Sequence, residues 1–393
     1  MKYNFDEVID RKNTGSLKWD FCEKYLGEKE VLPMWVADMD FRAPDPVIEA
    51  VSSKAQLGIY GYAEESESFY NAAVMWQKRR HGWTINREWV HFCPGIVPAL
   101  HLMAKTFAAP GDKIMLQSPV YYPFYDAIKN SGCTVANNPL RLKDEQYAMD
   151  FDDLEKKIDH RVKMIFLCNP HNPGGKVWNR DDLITLGTIC INKNVIVVSD
   201  EIHGDLVLYD HRHIPFASIS DEFAMNSITC VAPSKTFNLA GLQVSNIIIP
   251  NPKLSAAFKT ALEKSALSRP NLFAIEAAEA AYNYGDEWLD QLISYIEGNH
   301  RLLEEYVKSR IPRLRVIKSQ ASYLAWLDCR DLHMNTEGLK SFMEKGARLG
   351  LNQGYIFGQG GEGFVRINLG CPRSLVREAL KRLDKAVNAL PEQ

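Results

Sequence analysis

The chain has 393 residues, 46% hydrophobic and 24% charged, with 46 Lys+Arg against 49 Asp+Glu for a formal net charge of -3. That length supports two or three domains around a large core. The composition excludes a disordered tail, a collagen-like fibre and a disulfide miniprotein, and the charge balance gives no reason to expect nucleic acid or an anionic membrane as a partner.

The eight cysteines are scattered with no C-x-x-C pair, so they read as reduced thiols rather than a disulfide framework or zinc site. Met1 to Asp10 is polar and mixed in charge, unlike a signal or transit peptide. No apolar run approaches the roughly eighteen residues of a membrane span. The expected compartment is the cytoplasm.

In chain order, a helix-like stretch at Pro98–Ala109 precedes five short apolar runs. They are Ile114–Gln117, Met164–Cys168, Val195–Ser199, Ile228–Ala232 and Asn246–Ile249. Each is apolar on both parities, as buried parallel strands are. Between them, Asn179 reads as an N-cap ahead of Asp181, Asp182, Leu183, Ile184 and Leu186. The alternation predicts an α/β domain with a mostly parallel sheet. Beyond it lie a long helical region at Asn271–Tyr306, a strand at Tyr323–Leu327, a helix at Thr336–Arg348, a Gly-rich turn and a strand at Phe364–Asn368. A final helix carries Leu375, Ala379, Leu383 and Val387. The expected division is an N-terminal arm (1–45) packing with a smaller α+β unit (286–393), and a large domain (46–285) between them.

Ligands of open parallel sheets bind beyond the carboxyl ends of the strands. Three runs lead there into Asn169-Pro170-His171-Asn172-Pro173, Asp200-Glu201-Ile202-His203 and Pro233-Ser234-Lys235-Thr236-Phe237-Asn238. Taken singly, Asp200 reads as an N-cap, Asn172 as a turn residue and Lys235 as a surface lysine. Taken together, three strand exits offer an amide, a carboxylate and a lysine to one crevice. A pyridoxal phosphate site needs a lysine for the Schiff base and an acid at the pyridine nitrogen.

The order of these motifs resembles the fold-type I, aspartate-aminotransferase-like pyridoxal phosphate enzymes over essentially the whole chain. The resemblance implies a three-layer α/β/α large domain with a smaller α+β domain. It implies that Lys235 is the Schiff-base lysine, that Asp200 pairs with the ring nitrogen and that Asn172 donates to the ring oxygen. Gly95, Ile96 and Val97 would cradle the phosphate with backbone N–H groups, Ser234 would add a hydroxyl and Tyr62 would reach the phosphate across a homodimer interface. Tyr121 would stack on the ring, although a core tyrosine at a strand exit is an equal reading. Arg366 would grip the substrate carboxylate in a bidentate fashion; Arg42, Arg269 and Arg373 offer weaker alternatives.

The sequence departs from that pattern in three places. Gln243 stands where many relatives carry a phosphate-clamping arginine, Ala232 replaces a hydroxyl residue, and His203 follows Asp-Glu-Ile in place of tyrosine. His203 could contact the cofactor, support Asp200 or be a core histidine. Gly358-Gln359-Gly360-Gly361-Glu362-Gly363 matches a dinucleotide fingerprint but precedes a strand, the wrong context. Asp210, His211 and His213 lack a third ligand cluster, so no metal site is expected.

Finer matches are similar to the MalY/PatB-type cystathionine β-lyases. They are Pro33-Met34-Trp35-Val36-Ala37-Asp38-Met39-Asp40-Phe41, Ser322-Tyr323-Leu324-Ala325-Trp326-Leu327-Asp328 and Arg366-Ile367-Asn368-Leu369-Gly370-Cys371-Pro372. The implied reaction is β-elimination from a sulfur amino acid to a thiol, pyruvate and ammonia, with Lys235 as base. Ala37 and Tyr121 would border the substrate. An aminotransferase would use the same residues, and a cofactor-binding regulatory protein would keep the fold.

Overall fold

Seven strands form one sheet: β1 (Val90–Cys93), β2 (Lys113–Leu116), β3 (Thr134–Asn137), β4 (Val162–Cys168), β5 (Ile196–Asp200), β6 (Ser227–Val231) and β7 (Ser245–Ile248). Their order is β1-β7-β6-β5-β4-β2-β3. The coordinates are a computed structural model describing residues 2–391; residues 1 and 392–393, at the outer ends of the expected arm and C-terminal unit, lie outside the described residues.

The strands from β6 to β3 run parallel, which puts the exits of β4, β5 and β6 on one edge. Both faces are buried. Met164, Phe166 and Cys168 enter one core with Leu100, Met103, Phe124 and Phe258, whereas Ile165 and Leu167 enter another with Leu183, Leu186 and Trp326. That two-sided burial is why the runs are apolar on both parities.

One expectation is overturned. The run at Asn246–Ile249 is antiparallel to both neighbours, β1 and β6. The link back from β6 holds only the short helices Pro233–Thr236 and Ala240–Leu242, with no crossover helix, so the chain returns in the opposite direction.

Helices α1 (Glu67–His81), α2 (Ile96–Phe107), α3 (Arg180–Asn192) and α4 (Pro233–Thr236) precede α5 (Leu272–Tyr284), α6 (Asp286–Arg310) and α7 (Arg373–Asn388). At the start of α3, Asn179 accepts from the Asp182 N–H at 2.8 Å, as its spacing predicts. The expected long helix at Asn271–Tyr306 is two helices broken at Gly285. A Cβ there would sit 2.3 Å from the Phe237 ring, so the helices part where the lysine-bearing segment presses between them.

The second sheet is antiparallel, in the order β8 (Arg315–Ile317), β9 (Leu324–Asp328), β11 (Phe364–Asn368) and β10 (Asn352–Gln353). The expected helix at Thr336–Arg348 is helical only over Thr336–Ser341, loosens into a wider turn at Phe342–Gly346, and gives way to Leu349–Gly350, which pairs in parallel with Leu32–Pro33. Leu32 and Met34 join the core of the second sheet, whereas Phe5, Met39 and Phe41 pack beside Phe237, Trp288 and Tyr295. Helix α6 spans both cores, Trp288 in one and Leu303 and Val307 in the other. Among the described residues no helix is long and apolar enough to cross a membrane.

Candidate active site

The exits of β4, β5 and β6, the first turn of α2 and the N-terminal segment at Ala37 close around a cavity of about 200 Å³. Gly95, Ile96, Val97, Tyr121, Asn172, Asp200, His203, Ser234, Lys235 and Ala37 all line it. Ten residues singled out from the sequence are thus brought to one crevice.

Asp200 ends β5 almost fully buried, its Oδ1 accepting from the Ile202 N–H at 3.2 Å. Burial pushes its carboxyl up to about 7, against the Ile202 hydrogen bond and the charge of Lys235. Lys235 lies in α4, and its Nζ donates to the Ala37 carbonyl at 2.6 Å. Burial, reinforced by Arg366, lowers its ammonium to about 8, while Asp38 and Asp200 oppose the shift. A carboxyl and an amine that both titrate near neutrality are poised for proton transfer.

Arg366 stands in mid-strand on β11 and is 3% exposed. Its Nη1 donates to Asn172 Oδ1 at 2.9 Å, and Nη2 to Asn352 Oδ1 at 2.6 Å and the Trp35 carbonyl at 3.2 Å. Its Nε is buried without a partner among the described residues. Among the described residues it forms no salt bridge, so no carboxylate side chain neutralises it. A buried guanidinium whose hydrogen-bond partners are all neutral oxygens, with the Phe357 ring 5.0 Å away, is costly unless an anion arrives. The Asn172 oxygen is occupied by this arginine, which leaves its N–H₂ end as the donor at the cavity.

Helix α2 begins at Ile96, two residues ahead of the expected start, so Ile96 and Val97 lie in its first turn. That turn carries no acidic residue, and Gly95 offers no side-chain cap, so its N–H groups can meet an anion. His203 is buried, and its Nδ1 has no partner. Burial, with Lys235 and Arg366, holds it down to about 3, so the imidazole is neutral. Tyr121 is partly buried at the cavity wall, and loss of solvent around its hydroxyl raises its pKa.

Tyr62 does not join this group. It is 95% exposed, outside the cavity, with the Arg269 guanidinium 5.6 Å from its ring. Arg373 is tied to Tyr295 and Asn299 instead of the site. His213 bonds Glu201 at 2.8 Å while His211 is exposed, so the His-x-His pair does not converge.

Several site residues escaped the sequence. Cys168 also lines the cavity, Asn352 holds Arg366, and the Tyr323 hydroxyl donates to the Ala37 carbonyl at 3.0 Å. Asn352 carried no signal, because β10 is only two residues long. For Tyr323, a polar aromatic heading an apolar strand was the available clue.

The family of aminotransferases of class I and II matches residues 29–383. Cystathionine beta-lyase PatB of Bacillus subtilis (strain 168) is 46% identical over 98% of this chain and 100% of its own. Protein MalY of Escherichia coli (strain K12) is 31% identical over 99% of this chain and 100% of its own. The crystal structure of cystalysin from Treponema denticola, which contains a pyridoxal 5'-phosphate cofactor, superposes with a TM-score of 0.95 at 38% identity, covering 99% of both chains. On fold, sequence and the order of its motifs, this chain belongs to the aminotransferase class I and II family, in the branch that holds PatB and MalY.

Proposed function

We propose that the chain is a pyridoxal phosphate-dependent carbon–sulfur β-lyase, cleaving cystathionine or another cysteine S-conjugate to a thiol, pyruvate and ammonia. The observation that carries this reading is Arg366, buried with no carboxylate side chain paired to it among the described residues, beside the Lys235–Asp200 cavity, in a chain 46% identical to a cystathionine beta-lyase.

The residues present fit the cofactor. A lysine with a lowered pKa suits an imine, a carboxylate at the strand end suits a ring nitrogen, and an uncapped helix N-terminus beside Ser234 suits a phosphate. When bound, pyridoxal phosphate supplies an electrophilic carbon for the substrate amine and a ring that accepts the electron pair left at Cα.

The chain's own residues do the rest. Arg366 grips the α-carboxylate, with Asn172 and Asn352 fixing its plane. Asp200 would pair with the cofactor's ring nitrogen, whose positive charge would draw it to its ionised form. Once displaced, Lys235 takes the Cα proton near neutral pH, and the Ala37 carbonyl holds its amine at the site. Neutral His203 adds no positive charge against the lysine.

We further propose a homodimer in which Tyr62 reaches the neighbouring cofactor. Leu57, Ile59, Tyr60 and Tyr62 form a short tract, 62% to 95% exposed, that a second copy would cover. Eight unpaired cysteines suit a reducing compartment, the cytoplasm. The arm (1–45) and 286–393 act as the smaller unit closing on the large domain (46–285), a reading supported by the pairing of Leu32–Pro33 with Leu349–Gly350.

Amino transfer to a 2-oxo acid is the second reading, favoured by the family match over residues 29–383. It shares the base and the carboxylate grip and differs in where the proton returns. Purified, cofactor-loaded protein given L-cystathionine with no 2-oxo acid separates the two. Continuing, equimolar release of thiol and pyruvate is expected; no release, with amino transfer appearing once a 2-oxo acid is added, would overturn the lyase reading.

A further inference from the structure

Beneath the lysine turn lies a second set of ionisable groups that the reaction does not use. Asp205 follows β5 by five residues, and its carboxylate receives three donors. Thr236 Oγ1 donates at 2.8 Å, Trp76 Nε1 at 2.9 Å, and His81 Nε2 lies 2.7 Å away. The side chains of His81 and Asp205 are 9% and 11% exposed, and Thr236 is fully buried.

The set continues into more deeply buried groups. The His81 ring stands edge-on to His213 with centroids 5.3 Å apart, and His213 Nε2 lies 2.8 Å from Glu201. The Glu201 carboxylate also accepts from the Ser199 hydroxyl and the Phe216 N–H, each at 2.8 Å. A Cβ on Gly204 would come within 2.8 Å of the His213 ring, so the chain there closes tightly on the imidazole.

A buried carboxylate is a poor choice for stability alone, since an apolar group of the same shape serves as well or better. Its partners show what it does. Two of the three come from α1 and the third is the neighbour of Lys235. Helix α4 has only four residues and no side-chain N-cap, so it cannot hold its own geometry. No salt bridge joins Asp205 to Lys235; the link runs through Thr236 and the backbone. On the other side of the turn, the Asn238 Nδ2 donates to the Met39 and Phe41 carbonyls at 2.9 Å each.

We propose that Asp205 is a positioning residue for Lys235. Through Thr236 it locks the lysine turn onto α1, so that Nζ meets the Ala37 carbonyl and returns to the same place after each turnover. This rests on the reading of Lys235 as the cofactor-bearing base.

The test compares Thr236→Val, which removes only the hydroxyl, with Thr236→Ser, which keeps it. Holoenzyme of T236V is expected to lose about tenfold in kcat for thiol release from L-cystathionine, with KM changed by less than about twofold. The visible circular dichroism of the bound cofactor, per unit absorbance, is expected to fall by about half or more, because it reports how rigidly the cofactor is held. T236S should restore both. D205N probes the same anchor from its other end, is read on the same two measurements and is expected to move both in the same direction. T236V with kcat within about twofold of the parent and full visible dichroism would overturn the proposal, as would T236S failing to rescue. A Lys235→Ala protein that kept its yellow colour and turnover would instead overturn the site reading itself, so the two failures are distinguishable.

Discussion

Two residues, Asp200 and Lys235, carry opposite shifts from one cause. Burial holds the Asp200 carboxyl up at about 7 and the Lys235 ammonium down at about 8. In the cofactor-free protein, a carboxyl raised above its unfolded value of about 4 adds stability that is complete below that value. The contribution is lost as pH rises towards 7, because the folded state must give up a proton it holds more tightly. Asp200→Asn removes this dependence. The melting temperature of cofactor-free wild type relative to D200N is therefore expected to fall between pH 4 and pH 8; a constant difference would contradict it. For Arg366, replacement by lysine keeps the charge and loses the planar two-point grip. Steady-state kinetics of R366K should show kcat/KM for the amino acid lower by about 100-fold, mostly through KM.

At the scale of elements, Gly285 marks where two helices must part. Gly285→Ala would bring Cβ to 2.3 Å from the Phe237 ring and 2.4 Å from the Ala281 carbonyl. Overpacking of this kind costs about 1–3 kcal/mol, measurable as a lower denaturant midpoint. That break was not legible in the sequence, because helical periodicity runs through a single glycine and only Phe237, distant in the chain, makes it obligatory. The buried strands Met164–Cys168, Val195–Ser199 and Ile228–Ala232 were legible to within two residues, since burial on both faces leaves little polar to blur them. The direction of β7 was not, because apolar runs carry no sign of polarity. Nor were the edge strands β1 and β3; the latter is half-exposed and begins with Thr134, and its short polar pattern matches a loop as well as a strand. Site residues at strand exits could be read from position and chemistry together. Asn352 and Tyr323 could not, because they meet Arg366 and the Ala37 carbonyl from the second sheet and its margin, whose placement depends on tertiary packing.

The whole molecule brings two cores and an N-terminal segment to a single crevice, and the proposed second copy completes it through Tyr62. Sedimentation is expected to give twice the chain mass. Tyr62→Phe should weaken cofactor binding by about tenfold, the worth of one hydrogen bond to a charged group, as read by equilibrium dialysis. A monomer of full affinity and activity would remove the interface from the account. Its centre is the lysine at the exit of β6. Borohydride reduction of the cofactor-loaded protein, followed by peptide mass analysis, fixes the cofactor to whichever amine holds it. The account predicts a single modified peptide, the one containing Lys235, and loss of thiol release in step with its formation; modification of another lysine, or turnover that survives complete reduction, would contradict it.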